Sequence, residues 1–78
     1  MEPDWTDVER RMKALTMKQL KPVRWWFNGC LGGASSKGEV CQTMASQMRH
    51  WWNACAEWGG RDRVRNVLKE LEKAEEGR

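Results

Sequence analysis

The chain of 78 residues has a mass of 9.2 kDa, so it can form one small domain (1–78) but hardly both a packed core and an enclosed active-site pocket. Its residues are 40% apolar and 32% charged, with a net charge of +3, which excludes a disordered or fibrous chain. It shows neither a membrane-spanning stretch nor a secretory signal, so we expect an intracellular protein, cytoplasmic or, in a eukaryote, nuclear.

The first predicted helix covers about Pro3 to Ala14, within an N-terminal segment 1–14. Asp4 precedes its first turn and is a suitable cap. Apolar side chains then recur at spacings of three, four and three, which places them on one helix face: Trp5, Val8, Met12 and Leu15.

A second helix is predicted to begin after Thr16, which forms a capping-box pattern with Gln19. Its apolar face consists of Leu20, Val23, Trp26 and Phe27, and its basic face of Lys18, Lys21 and Arg24. Around the helix axis, the angular position of Trp25 lies between those of Lys18 and Lys21. Its ring there either covers their aliphatic stems or offers an exposed stacking surface. Pro22 removes one hydrogen bond and is expected to kink or divide the helix.

A glycine-rich loop (28–35) leads to the longest predicted helix, about Lys37 to Trp58, which opens on a capping-box pattern and ends at Gly59-Gly60. Its apolar stripe consists of Val40, Met44, Met48, Trp51, Cys55 and Trp58, widened by Ala45 and Trp52. The last helix lies near Asp62 to Ala74, within segment 61–76, and turns Val64, Val67, Leu68 and Leu71 inward. The sequence therefore predicts an all-α bundle of about four helices.

The cysteines and the single histidine do not form a predicted metal site. A zinc site built from Cys30, Cys41, Cys55 and His50 is rejected, because residues 41 and 55 on one helix lie about 21 Å apart. No nucleophile–base pair and no phosphate-binding glycine loop with the required spacing is present either. We therefore expect a protein that is not an enzyme, with reduced thiols, no cofactor, no metal and no small-molecule substrate.

Charge is unevenly distributed along the chain. Residues 1–9 carry a net −4, residues 10–49 carry eight bases against Glu39 alone, and residues 50–78 are neutral overall. A basic middle between acidic and balanced ends favours an anionic partner for the middle, although an uneven solvated surface would give the same arithmetic.

Residues 15–48 resemble the SAP motif, a helix–loop–helix module that binds DNA in its family. The resemblance is carried by Leu15-Thr16-Met17-Lys18-Gln19-Leu20-Lys21 and by Leu31-Gly32-Gly33-Ala34-Ser35-Ser36-Lys37-Gly38-Glu39-Val40-Cys41-Gln42-Thr43-Met44. The chain departs from the family pattern at Pro22, Ser35 and Thr43 and is about two residues longer between Leu20 and Leu31. The resemblance implies a small DNA-binding module with little sequence specificity.

The residue chemistry independently favours phosphate binding at the start of the longest predicted helix and on the neighbouring basic face with Lys18 and Lys21. Ser35 and Ser36 precede a helix start, where free N–H groups and the helix dipole attract anions. The predicted nucleic-acid contacts are Lys18, Lys21, Arg24, Ser35, Ser36, Lys37 and Arg49. Duplex DNA is the expected partner, and no membrane contact is expected. The competing interpretation is that Ser36 only caps the helix and Lys37 is solvated.

An alternative function is a protein-interaction module, either a homodimer or an adaptor, that binds no nucleic acid. Six Trp and five Met exceed what a four-helix core of this size comfortably encloses. Exposed tryptophans make efficient contacts with protein partners, and Met-rich surfaces adapt to them. The candidates for exposure are Trp25, Trp52 and Trp58.

Overall fold

A computed structural model describes residues 1–77, and most of these residues lie in helices. They are α1 (Trp5–Lys13), α2 (Met17–Arg24), α3 (Lys37–Ala54) and α4 (Gly60–Glu76), with short 3-10 turns at Trp25–Phe27 and Ala56–Trp58. The structure is 75% helical and contains no strand within these 77 residues. The predicted all-α fold of four helices is confirmed.

The helix starts follow the predicted caps. The Asp4 carboxylate accepts a hydrogen bond from the Asp7 N–H at 3.2 Å, and the Thr16–Gln19 capping box is complete, with bonds of 3.1 and 2.9 Å. Of the two effects expected of Pro22, a kink or a division, the division does not occur, because α2 continues through Pro22 as far as Arg24. A proline near the end of a short helix removes one hydrogen bond without separating the turns on either side.

The boundary between α3 and α4 differs from the prediction. The third helix ends at Ala54 rather than Trp58, because the Cys55 carbonyl accepts hydrogen bonds from the Trp58 and Gly60 N–H groups at 3.0 and 2.8 Å. Gly59 then adopts a left-handed φ of +80°, and α4 begins two residues earlier than predicted, at Gly60. A Cβ atom on Gly60 would overlap the Trp51 carbonyl oxygen. Glycine at position 60 therefore lets α4 start directly against the end of α3.

α3 is the central helix of the bundle. It packs against α1 and α4, α2 packs against α4, and direct contact between α2 and α3 is minor. α1 and α3 are antiparallel, since Trp5 lies beside Trp52 whereas Lys13 lies close enough to Cys41 to act on its charge. The buried core consists of Val8, Met12, Leu15, Leu20, Val23, Phe27, Val40, Cys41, Met44, Ala45, Met48, Trp51, Trp52, Val64, Val67 and Leu71.

Candidate nucleic-acid interface

An open groove of about 520 Å³ lies where α2 meets the loop that follows it. We call it the α2 groove. It is lined by Lys21, Arg24, Trp25, Phe27, Asn28, Gly29, Leu31 and Gly32. Gly29 and Gly32 have φ values of +84° and +58°, so both occupy the left-handed region that glycine adopts without strain. These two residues let the loop adopt the turns at which it lines the groove together with α2.

The exposed side of α2 brings two lysines and a tryptophan into one row. Lys18, Lys21 and Trp25 are spaced three and four residues apart, which places them on one helix face over about 10 Å. All three are exposed, and Trp25 keeps 76% of its surface accessible. The predicted basic face therefore exists, and it includes an accessible indole ring at its end.

Arg24 contributes a positive charge that no carboxylate within residues 1–77 balances. The side chain is half-buried, and its Nε atom is buried without a hydrogen-bond acceptor in the described structure. Leaving a buried donor unpaired costs about 1–3 kcal/mol. Within residues 1–77, no hydrogen-bond partner thus accounts for the buried Nε atom of this guanidinium.

Ion pairs neutralise the bases of α1 but not those of α2. Arg10 pairs with Asp7, Arg11 with Glu75 at 2.5 Å, and Lys13 with Glu9 at 2.8 Å. Arg65 and Lys73 of α4 also have carboxylate partners. Within residues 1–77, no ion pair is formed by Lys18, Lys21, Arg24, Lys37, Arg49, Arg61, Arg63 or Lys69. All five bases predicted to contact nucleic acid belong to this unpaired set.

The start of α3 differs from the predicted phosphate site. The Ser36 Oγ accepts the Glu39 N–H at 3.2 Å and donates to the Glu39 carboxylate at 3.1 Å. Ser36 therefore serves as a helix cap, and its hydroxyl is paired with Glu39. Ser35 and Lys37 are exposed and are not among the residues that line the α2 groove.

Arg49 is separated from the α2 groove. It lines a second groove of about 360 Å³ between α1 and α3, together with Trp5, Thr6, Glu9, Gln42, Ala45 and Ser46. The two grooves share no residue, and the second contains an acidic side chain. The structure therefore brings Lys21, Arg24 and Trp25 together and places Arg49 elsewhere.

Two of the three tryptophans expected at the surface are exposed. Trp25 and Trp58 are 76% and 85% accessible, but Trp52 is only 5% accessible, so the prediction for Trp52 is wrong. The edge of Trp5 covers Trp52 at 6.3 Å between ring centroids, and two guanidinium groups of α4 lie over its ring. The sequence signal that could have shown this is the alternation of arginines at 61, 63 and 65 just after the α3–α4 turn.

Hydrogen bonds and burial account for the pKa shifts of Arg11, Lys13 and Cys41. A hydrogen bond from Arg11 to Glu75 raises the pKa of Arg11, and a hydrogen bond to Glu9 raises the pKa of Lys13. Burial raises the pKa of the Cys41 thiol. All three cysteines are free, and no group of three or more potential metal ligands occurs in residues 1–77.

The sequence analysis did not predict the loop residues of the α2 groove as site residues. Leu31 and Gly32 entered it only as part of the SAP-like pattern. Asn28-Gly29 and Gly32-Gly33 carried a signal, since such pairs mark turns that fold a chain back on itself.

No described helix has the length and apolarity needed to cross a bilayer. No protein-family model, curated protein or solved structure matches the chain.

Proposed function

We propose that the protein binds nucleic acid through its phosphate backbone, with little sequence specificity, using the exposed side of α2. The observation that carries the proposal is that Lys18, Lys21 and Arg24 have no carboxylate partner among residues 1–77, whereas every base of α1 has one. The resemblance of residues 15–48 to the SAP motif makes DNA the expected polymer.

The local charge supports an anionic partner for α2. Residues 10–38 contain seven bases and no acidic residue. Three of those bases lie on α1, where the acids Asp7, Glu9 and Glu75 neutralise them. Positive potential therefore remains at α2, where phosphates can replace the missing carboxylates. Such contacts hold a protein on the backbone without reading bases, which accounts for the low specificity.

Salt dependence provides the first test of phosphate binding. If Lys18, Lys21 and Arg24 each neutralise one phosphate, affinity for duplex DNA should fall about 40-fold between 50 and 200 mM salt. The measurement is fluorescence anisotropy of a labelled duplex. Undetectable binding at low salt, or affinity indifferent to salt, would contradict the proposal.

A charge reversal locates the contact surface. Lys21→Glu should weaken binding by about tenfold or more, since it removes one phosphate contact and adds a repulsive charge. Lys69→Glu is the matched control, because Lys69 is exposed on α4, forms no ion pair in the described structure and lies outside the α2 groove. Equal losses in the two variants would show that net charge, rather than α2, determines binding.

The two exposed indole rings favour a second candidate function, binding to a protein or to another copy of the chain. Trp58 is 85% accessible and takes no part in the α2 groove. An accessible tryptophan is a common centre of a protein interface. Sedimentation at micromolar concentration would detect self-association, and Trp58→Ala should abolish it. A monomer that binds DNA as described above would favour the first proposal.

A further inference from the structure

The α2 groove differs from a simple basic surface because it contains an accessible aromatic ring. Trp26 is half-buried and Phe27 is fully buried, so the 3-10 turn directs these two side chains toward the core. Trp25 stays exposed at the same turn and has no aromatic or cation–π contact within residues 1–77. Within the described residues, neither face of this indole is therefore covered by another ring or by a guanidinium group.

The neighbours of Trp25 are cations and turn residues rather than acids. Lys21 lies one helical turn before it, Arg24 precedes it directly, and the other lining residues are uncharged: Phe27, Asn28, Gly29, Leu31 and Gly32. The groove is open to solvent, so a planar ring can lie against the exposed indole at its edge. The groove is therefore complementary to a flat, uncharged ring that carries a phosphate beside it.

In duplex DNA the bases are stacked on one another, so a ring face reaches an indole on the protein surface only if a base step is first unstacked. A single strand can turn a base outward onto an aromatic ring while its phosphates meet nearby cations. We infer that the α2 groove binds single-stranded DNA, with an unpaired base stacked on Trp25 and the adjoining phosphates held by Lys21 and Arg24. This inference rests on the proposed function and replaces the expected preference for duplex DNA with a preference for single strands.

The test compares two single strands that have the same charge. One is a labelled oligothymidylate of ten nucleotides, and the other is an abasic strand of the same length that keeps the phosphates and lacks the bases. The inference predicts that oligothymidylate binds about tenfold or more tightly than the abasic strand, because stacking on an aromatic side chain adds to the phosphate contacts. It also predicts tighter binding of oligothymidylate than of a duplex at the same concentration of phosphate.

Variants at position 25 separate stacking from phosphate contact. Trp25→Ala should reduce oligothymidylate affinity to that of the abasic strand and leave the abasic strand unaffected. Trp25→Phe keeps an aromatic face and should retain most of the difference between the two strands. Trp58→Ala, which removes an equally exposed indole outside the groove, should change neither affinity. Thermal unfolding of each variant checks that the fold is intact.

The possible failures are distinguishable. If no strand binds at low salt, the proposed function fails and the inference fails with it. If the oligothymidylate, the abasic strand and the duplex bind equally, or if Trp25→Ala weakens all of them alike, phosphate binding stands and base stacking is disproved. A change in oligomeric state on Trp25→Ala, without a change in strand affinity, would assign the indole to a protein interface instead.

Discussion

The protein contains two pairs of adjacent tryptophans whose surroundings differ. Trp51 and Trp52 are 7% and 5% accessible, because the central helix α3 lies between α1 and α4. Phe27 stacks on Trp51 at 4.9 Å, and the Arg63 guanidinium lies over the same ring at 4.3 Å. In the pair at Trp25–Trp26, by contrast, the first ring is 76% accessible and has no such cover.

Charge follows the same division. The half formed by α1, α3 and α4 pairs most of its cations with carboxylates or places them over tryptophan rings. Within residues 1–77, the half formed by α2 and its loop leaves all three of its cations without a carboxylate, and one of them holds a buried donor without an acceptor. The first half thus satisfies most of its cations, whereas the second leaves its cations to a partner. This difference is the physical basis for placing the function on α2.

The largest expected effect tests the difference between the tryptophan pairs directly. Trp51→Ala should lower the free energy of unfolding by about 3–5 kcal/mol, because a buried ring is replaced by a cavity. Trp25→Ala should change it by less than about 0.5 kcal/mol, as exposed substitutions do. Urea denaturation followed by circular dichroism measures both values. Similar losses in the two variants would remove the distinction between the pairs.

The close approach of α4 to Trp51 can be tested at a glycine. Gly60→Ala should destabilise the protein by about 2–3 kcal/mol, because the added Cβ meets the Trp51 carbonyl oxygen and backbone atoms must move. Gly38→Ala is the control in the first turns of α3, where a Cβ meets nothing within 4 Å. It should stabilise the helix by up to about 1 kcal/mol. A neutral Gly60→Ala would show that the α3–α4 turn is looser than described.

Arginines on the two halves should respond in opposite ways to loss of charge. Arg11→Met breaks a half-buried ion pair with Glu75, whose side chains are 26% and 29% accessible, and should cost about 1 kcal/mol. Arg24→Met removes an unpaired buried donor and should be neutral or stabilising by up to about 1 kcal/mol. The Arg24 variant should nevertheless bind DNA more weakly. A clear destabilisation by Arg24→Met would indicate that this guanidinium has a structural role.

The smallest expected effect concerns the core thiol beside α1. Burial raises the pKa of Cys41, so the folded state favours the neutral thiol. Its contribution to stability is complete below the unfolded pKa and is lost as pH rises through the folded pKa. The free energy of unfolding should therefore decline as pH rises above about 8.5, and less so in Cys41→Ala. Parallel pH profiles for the two proteins would contradict this.

Periodicity and capping predicted much of the fold. The apolar faces of α1, α2 and α4 and the caps at Asp4, Thr16 and Ser36 follow from spacings of three and four residues and from side chains that reach the next turn. The end of α3 did not follow, because the apolar stripe runs on to Trp58 although the chain tightens at Cys55. The spacing of apolar residues predicts which side chains can share one helix face. It does not predict where packing against a neighbouring helix makes the backbone turn.

The candidate site was predictable only in part. The sequence placed Lys18, Lys21, Arg24 and Trp25 on one side of a helix, and that arrangement exists. It could not show that the Ser36 hydroxyl pairs with the Glu39 carboxylate, that Arg49 lines a groove beside α1, or that the loop after α2 lines a groove with Lys21 and Arg24. Those facts depend on contacts between segments that are distant along the chain.

By itself, the sequence determined an all-α chain of four capped helices with a basic, acid-free segment between residues 10 and 38. These properties are local, since they depend on residues within one or two helical turns. Only the tertiary structure decided which cations keep a partner, which indoles stay accessible and where a groove opens. Those properties depend on which helices lie side by side, and α3, by packing against α1 and α4, buries one tryptophan pair and leaves Trp25 free.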